Sequence, residues 1–170
     1  CGQLLYSIVR RKHTYLRLSP PFATKVQTGH SISIYLHKND LPDSLSLGPV
    51  IAIDTETMGL NLQRDRLCLV QLSAGDGNAH LIQIAADKKP CPNLAHLLAD
   101  SSCEKLFHFG RFDIAMLKQH IGPLYGPLFC TKIASKLCRT YTDKHGLADL
   151  CRELLRLSLI HISEPTRPIA

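Results

Sequence analysis

Val50-Ile51-Ala52-Ile53-Asp54-Thr55-Glu56-Thr57-Met58-Gly59-Leu60 decides how this 170-residue chain is read. Its first four residues are small or β-branched and uncharged, a composition that suits a strand buried on both faces of a sheet. The strand ends in two acids two residues apart. Side chains at i and i+2 of a strand share a face, so Asp54 and Glu56 can reach one small volume. Converging carboxylates repel each other unless a positive charge lies between them. A divalent cation with oxygen ligands meets that need.

Working outward, the first half carries strand signals. Residues 31–37 alternate in polarity. Leu67–Ser73 is an apolar run, Gly75-Asp76-Gly77-Asn78 is a turn, and Ala79–Ile84 is a further strand. These are expected to form a meander of antiparallel neighbours around the opening strand. Asn39-Asp40-Leu41-Pro42 reads as a turn or a helix cap.

The second half changes period. Leu94, Leu97 and Leu98 have helical spacing behind Asn93 as N-cap. Lys105–Phe109 is a strand, and residues 112–117 form a helix ending before Gly122-Pro123. Leu128–Cys130 is a short strand. Ile133, Ala134 and Leu137 mark one helix, and Leu147, Leu150, Leu154 and Leu155 another. The Phe and Leu positions of the helices are expected in the core. Strands first, then alternating strand and helix, indicate an α/β domain with a mixed sheet.

Composition narrows the class. Hydrophobic residues make up 45% and charged residues 20%, as in an ordinary globular domain. No apolar run approaches the ~20 residues of a membrane helix, and no signal peptide is evident. Seven scattered cysteines without a C-x-x-C pair point to reduced thiols and a cytoplasmic setting. The net charge of +6 belongs to residues 1–39, which hold six basic side chains and no acid. Net charge therefore says nothing of a polyanionic partner for the rest.

A third acid completes the pattern. Phe107-His108-Phe109-Gly110-Arg111-Phe112-Asp113 places a carboxylate in the first turn of a helix after a strand. Helix-dipole stabilisation alone would favour it there. Taken with Ile53-Asp54-Thr55-Glu56-Thr57, however, it resembles the DEDD superfamily of 3′–5′ exonucleases, in its ribonuclease D-like branch. Thr131–Leu137 and Arg139–Leu147 are also similar to the middle of bacterial ribonuclease D-like proteins. The resemblance covers residues 31–156.

The resemblance implies a ribonuclease H-like mixed β-sheet flanked by helices, with the opening strand central. It implies two divalent cations, Mg2+ or Mn2+, and hydrolysis of phosphodiester bonds at RNA 3′ ends, transfer RNA precursors included. Two ions ~4 Å apart can hold both the attacking and the leaving oxygen. On this resemblance Asp54, Glu56 and Asp113 are the catalytic and metal-binding residues. Met58, Gly59 and Leu60 would lie against the terminal nucleotide, and His108 is a further substrate-contact candidate. Arg111, Lys132, Lys136, Arg139 and Lys144 could meet phosphates, or simply be solvated. No membrane and no obligate protein partner is expected.

The branch's third motif, Tyr-x-x-x-Asp, is absent from residues 1–170: Tyr141 is followed four places on by His145, and no Asp follows Asp149. His145 and Asp149, one helical turn apart, are a poor substitute. Leu157–Arg167 resembles a translated sequencing adaptor. The expected organisation is a basic extension over 1–30, disordered or not native; an exonuclease domain over 31–156, cut before its third motif; and a foreign tail over 157–170. Impaired catalysis follows from that expectation. A non-catalytic nucleic-acid-binding module of the same fold, or a DNA proofreading-type exonuclease, are the competing readings.

Overall fold

The computed structural model describes residues 25–27, 33–87 and 89–154. Seven strands form one sheet there: β1 (Lys25–Gln27), β2 (Ser33–Lys38), β3 (Val50–Thr57), β4 (Leu67–Ser73), β5 (Asn78–Gln83), β6 (Glu104–Phe107) and β7 (Leu128–Cys130). Four helices accompany them: α1 (Pro92–Ala99), α2 (Arg111–His120), α3 (Thr131–Cys138) and α4 (Leu147–Leu154). The architecture is the expected α/β domain with a mixed sheet.

The strand order is β1-β2-β5-β4-β3-β6-β7. β3, β4 and β5 form the antiparallel meander. β2 departs from the expectation. It does not neighbour β3 but lies across β5, parallel to it, with Ser33 opposite Asn78 and Lys38 opposite Gln83. The loop after β2 carries the chain back over the sheet, so adjacency in sequence does not become adjacency in space. β1, from the stretch assigned to the extension, pairs antiparallel with β2. The rest of residues 1–30, and the tail 157–170, lie outside the described residues.

β3 is an interior strand, parallel to β6 on one side and antiparallel to β4 on the other. Its Ile51 and Ile53 are at most 2% exposed. They join a core cluster with Val70 and Leu72 of β4, Leu94 and Leu98 of α1, and Met116 and Leu117 of α2. Burying one such side chain contributes roughly 1.5–3 kcal/mol, which fixes the register of β3 and so the aim of its acids.

The α1 cap differs from the expectation. Asn93 lies inside the helix, and its amide donates to the Leu41 carbonyl and to Asp43 Oδ1, both at 2.7 Å. Asp40 does the capping from 53 residues away, accepting from the backbone N–H groups of Asn93 and Leu94 at 2.9 Å each. Pro92 at the helix start supplies no N–H, so the two following amides are the ones that need an acceptor.

The helix-core expectation holds for α1 and α2 and fails in part for α3 and α4. Ile133, Leu137 and Leu154 are exposed, Leu137 at 74%. α3 turns Ser135 inward instead, where its hydroxyl meets His145 Nδ1 at 2.9 Å and accepts from Arg139 Nη1 at 2.9 Å. A polar network on the inner face leaves the apolar stripe pointing outward.

Candidate active site

Alternation along β3 sends Asp54 and Glu56 to one face and Thr55 to the other. Opposite Asp54, across the antiparallel ladder, stands Gln71 of β4. Gln71 is 1% exposed, and its Nε2 donates to Glu56 Oε1 at 3.5 Å. Its Oε1 has no hydrogen-bond partner among the described residues. Asp113 arrives from the first turn of α2 and is tied to Thr55. One oxygen, Oδ1, accepts from the Thr55 backbone N–H at 3.0 Å and from the Thr55 hydroxyl at 2.6 Å. Asp113 is thereby anchored on the residue that lies between Asp54 and Glu56 in sequence.

The electrostatics reflect that crowding. Burial, then the charges of Asp113 and Glu56, push the Asp54 carboxyl up to about 7. Burial also raises Asp113, against the lowering effect of its Thr55 hydrogen bonds. Both effects mark a site where negative charge is under-compensated. Among the described residues, no group of three His, Cys, Asp or Glu side chains stands close enough to hold a metal ion as placed.

The rim is apolar. Met58 and Leu60 follow β3 in the chain and are 70% and 83% exposed. Between them Gly59 passes so close to Asp65 that a Cβ would lie 2.2 Å from its Oδ2. On the neighbouring strand end, His108 Nδ1 meets the Thr131 hydroxyl at 2.8 Å. Burial, with the nearby Lys132 charge, lowers His108 to about 4, so its ring is neutral near pH 7. β6 stops at Phe107, two residues earlier than the sequence suggests, because Phe109 takes the left-handed conformation, φ 60°.

The 3′–5′ exonuclease family pattern matches residues 31–164. This chain belongs to the 3′–5′ exonuclease family. Among solved exonucleases, Brucella melitensis NrnC bound to pGG is 54% identical, with a TM-score of 0.73 over 80% of this chain and 66% of that one. NrnC with bound Mg2+ is 53% identical, with a TM-score of 0.70 over 79% and 69%. Escherichia coli RNase D, an exoribonuclease involved in structured RNA processing, is 26% identical, with a TM-score of 0.54 over 71% and 33%. Granulibacter bethesdensis ribonuclease D is 34% identical over 62% of this chain. The chain spans about a quarter of that relative's length, 26%. The fold is therefore the ribonuclease H-like one of these exonucleases.

Several residues weighed in the sequence take structural places. Arg139 is 6% exposed and pairs with Glu153, so it is withdrawn from phosphate contact. The Tyr141 hydroxyl donates to the same Glu153 at 2.7 Å. Asp149 pairs with Arg152 at 3.1 Å, and His145 holds Ser135. Conversely, the sequence motifs do not point to Thr55, Gln71 or Phe109. Thr55 carried a signal, since the residue between two acids of a strand must face the other way. Gln71 carried one too, as a lone polar residue inside the apolar run Leu67–Leu72.

Proposed function

We propose that this domain removes nucleotides from the 3′ ends of RNA by hydrolysing the terminal phosphodiester bond. The observation that carries the reading is the hydrogen bonding of Asp113 to Thr55, the residue between Asp54 and Glu56 on one interior strand. Hard oxygen donors, under-compensated charge and the unpartnered buried Gln71 oxygen all suit hydrated divalent cations. Asp54, Glu56 and Asp113 would hold two of them, Mg2+ or Mn2+. Such ions, when bound, lower the pKa of the attacking water and neutralise charge on the phosphate and the leaving 3′ oxygen.

The chain's own groups do the rest. Thr55 orients Asp113, and Gln71 steadies Glu56. Met58, Gly59 and Leu60 offer an apolar edge for the terminal nucleotide, and neutral His108 offers one hydrogen bond without adding charge. With three carboxylates and no Tyr-x-x-x-Asp pair in residues 1–170, we expect slow turnover. A cytoplasmic setting suits the reading.

NrnC's complex with pGG supports a short nucleic acid as substrate, and the ribonuclease D relatives support longer structured RNA such as transfer RNA precursors. Incubation with 3′-labelled dinucleotide, transfer RNA precursor and single-stranded DNA, with and without Mg2+, tests the proposal. Metal-dependent release of 3′ nucleotides from RNA, abolished in Asp54→Asn, is expected. Tight RNA binding with no release in any metal would favour the non-catalytic module, and faster release from DNA the proofreading type.

A further inference from the structure

Phe109 is the most unusual residue near the acids. It is 62% exposed, and it holds a positive φ of 60° that L side chains with a bulky β-substituent rarely adopt. Its neighbour Gly110 could take that conformation at no cost, yet Gly110 sits at φ −69°. Gly110 is needed for another reason: a Cβ there would lie 2.3 Å from the Phe107 Cβ. The strain therefore falls on the aromatic residue. The turn is held by a hydrogen bond from the Phe109 N–H to Cys130 Sγ at 3.2 Å and by one from the Arg111 N–H to the Phe109 carbonyl at 2.9 Å.

The result is a large apolar ring displayed where burial would be the default. It lies four residues before Asp113, in the turn between α2 and the β6 strand that runs parallel beside β3. One face of the ring is covered by the Lys132 ammonium, 4.0 Å from its centroid. An exposed aromatic beside a lysine pairs a stacking surface with a positive charge, the combination that single-stranded nucleic acid uses. Strain of this kind, kept by the surrounding structure, gathers at ligand sites.

We propose that Phe109 and Lys132 form a nucleotide platform: the ring stacks on the base next to the scissile bond, and Lys132 meets that nucleotide's phosphate. The inference rests on the exonuclease reading and adds a specificity element to it. Stacking accepts any base, so the platform makes the enzyme sequence-tolerant while requiring that a base be present.

The test compares binding of two short single-stranded RNAs by fluorescence anisotropy, with Ca2+ as the divalent ion to suppress cleavage. One RNA is intact, and one is abasic at the residue before the 3′ end. The wild-type chain is expected to prefer the intact RNA by about 5- to 150-fold, the span of one base stacked on an aromatic ring. Phe109→Gly and Phe109→Leu should erase that preference while leaving abasic binding unchanged. Phe109→Gly should also melt no lower than wild type, because glycine relieves the backbone strain. A preference that survives in Phe109→Gly, or a loss of binding that tracks a fall in melting temperature, overturns the platform and leaves the exonuclease reading standing. Failure of the wild type to bind either RNA overturns both.

Discussion

The Asp113 carboxylate is held by Thr55 through two hydrogen bonds to one oxygen, 3.0 Å from the backbone N–H and 2.6 Å from the hydroxyl. The contact ties α2 to the strand that carries Asp54 and Glu56. Thr55→Val keeps the shape and the backbone bond but removes the hydroxyl. It should cost about 1 kcal/mol in urea melts and raise the Asp113 carboxyl further. Exonuclease activity should fall, and Thr55→Ser should restore most of it. Equal activity in Thr55→Val and wild type would show that Asp113 needs no such anchor.

Asp54, pushed up to about 7, makes metal-free stability depend on pH. The folded state holds this proton more tightly than the unfolded chain, whose value is near 3.8. Stability is therefore lost as pH rises from about 4 through 7. Asp54→Asn removes the penalty and should stabilise the metal-free protein at pH 8 by ~1–3 kcal/mol, with little gain at pH 4. Melting curves in EDTA at both values check this. Added Mg2+ should raise the wild-type melting temperature more than that of Asp54→Asn.

His37 and His80 share a buried hydrogen bond of 3.0 Å and stack at 5.3 Å between ring centroids. Burial lowers both from the ordinary 6.5, and the His37 charge adds to the lowering at His80. A depressed histidine favours the unfolded chain once that chain takes up protons, so stability should fall as pH drops below 6.5. His80→Phe, which keeps a ring against Tyr35, should flatten the pH 5–7 part of the stability profile. An unchanged slope in that variant would place the titration elsewhere.

Asp40 caps α1 from across the fold. Asp40→Ala strands two helix N–H groups and should cost about 1–2 kcal/mol. Asp40→Asn should retain much of that. Hydrogen exchange at the Asn93 and Leu94 amides should accelerate in Asp40→Ala before exchange in β3 does.

Most of this fold follows from local rules, and the site follows from them only in part. The apolar runs at Val50–Ile53 and Leu67–Ser73 are legible because β-branching and continuous hydrophobicity act within a strand. Asp113 at the start of α2 was legible because a strand end and a helix start are local signals. The outward stripe of Ile133 and Leu137 was not, since helical periodicity gives a face but not the direction in which it turns.

By itself the sequence determined that two acids share one face of a buried strand and that a third opens a helix, since backbone geometry alone fixes those directions. The tertiary structure alone decided that Asp113 is spent on Thr55, that Gln71 lies across from Asp54, that β2 runs parallel to β5 and that Asp40 caps a helix 53 residues away. Each of those is a pairing between distant segments. Which donor reaches which acceptor depends on how the sheet is ordered and packed, and no local pattern along the chain encodes that choice.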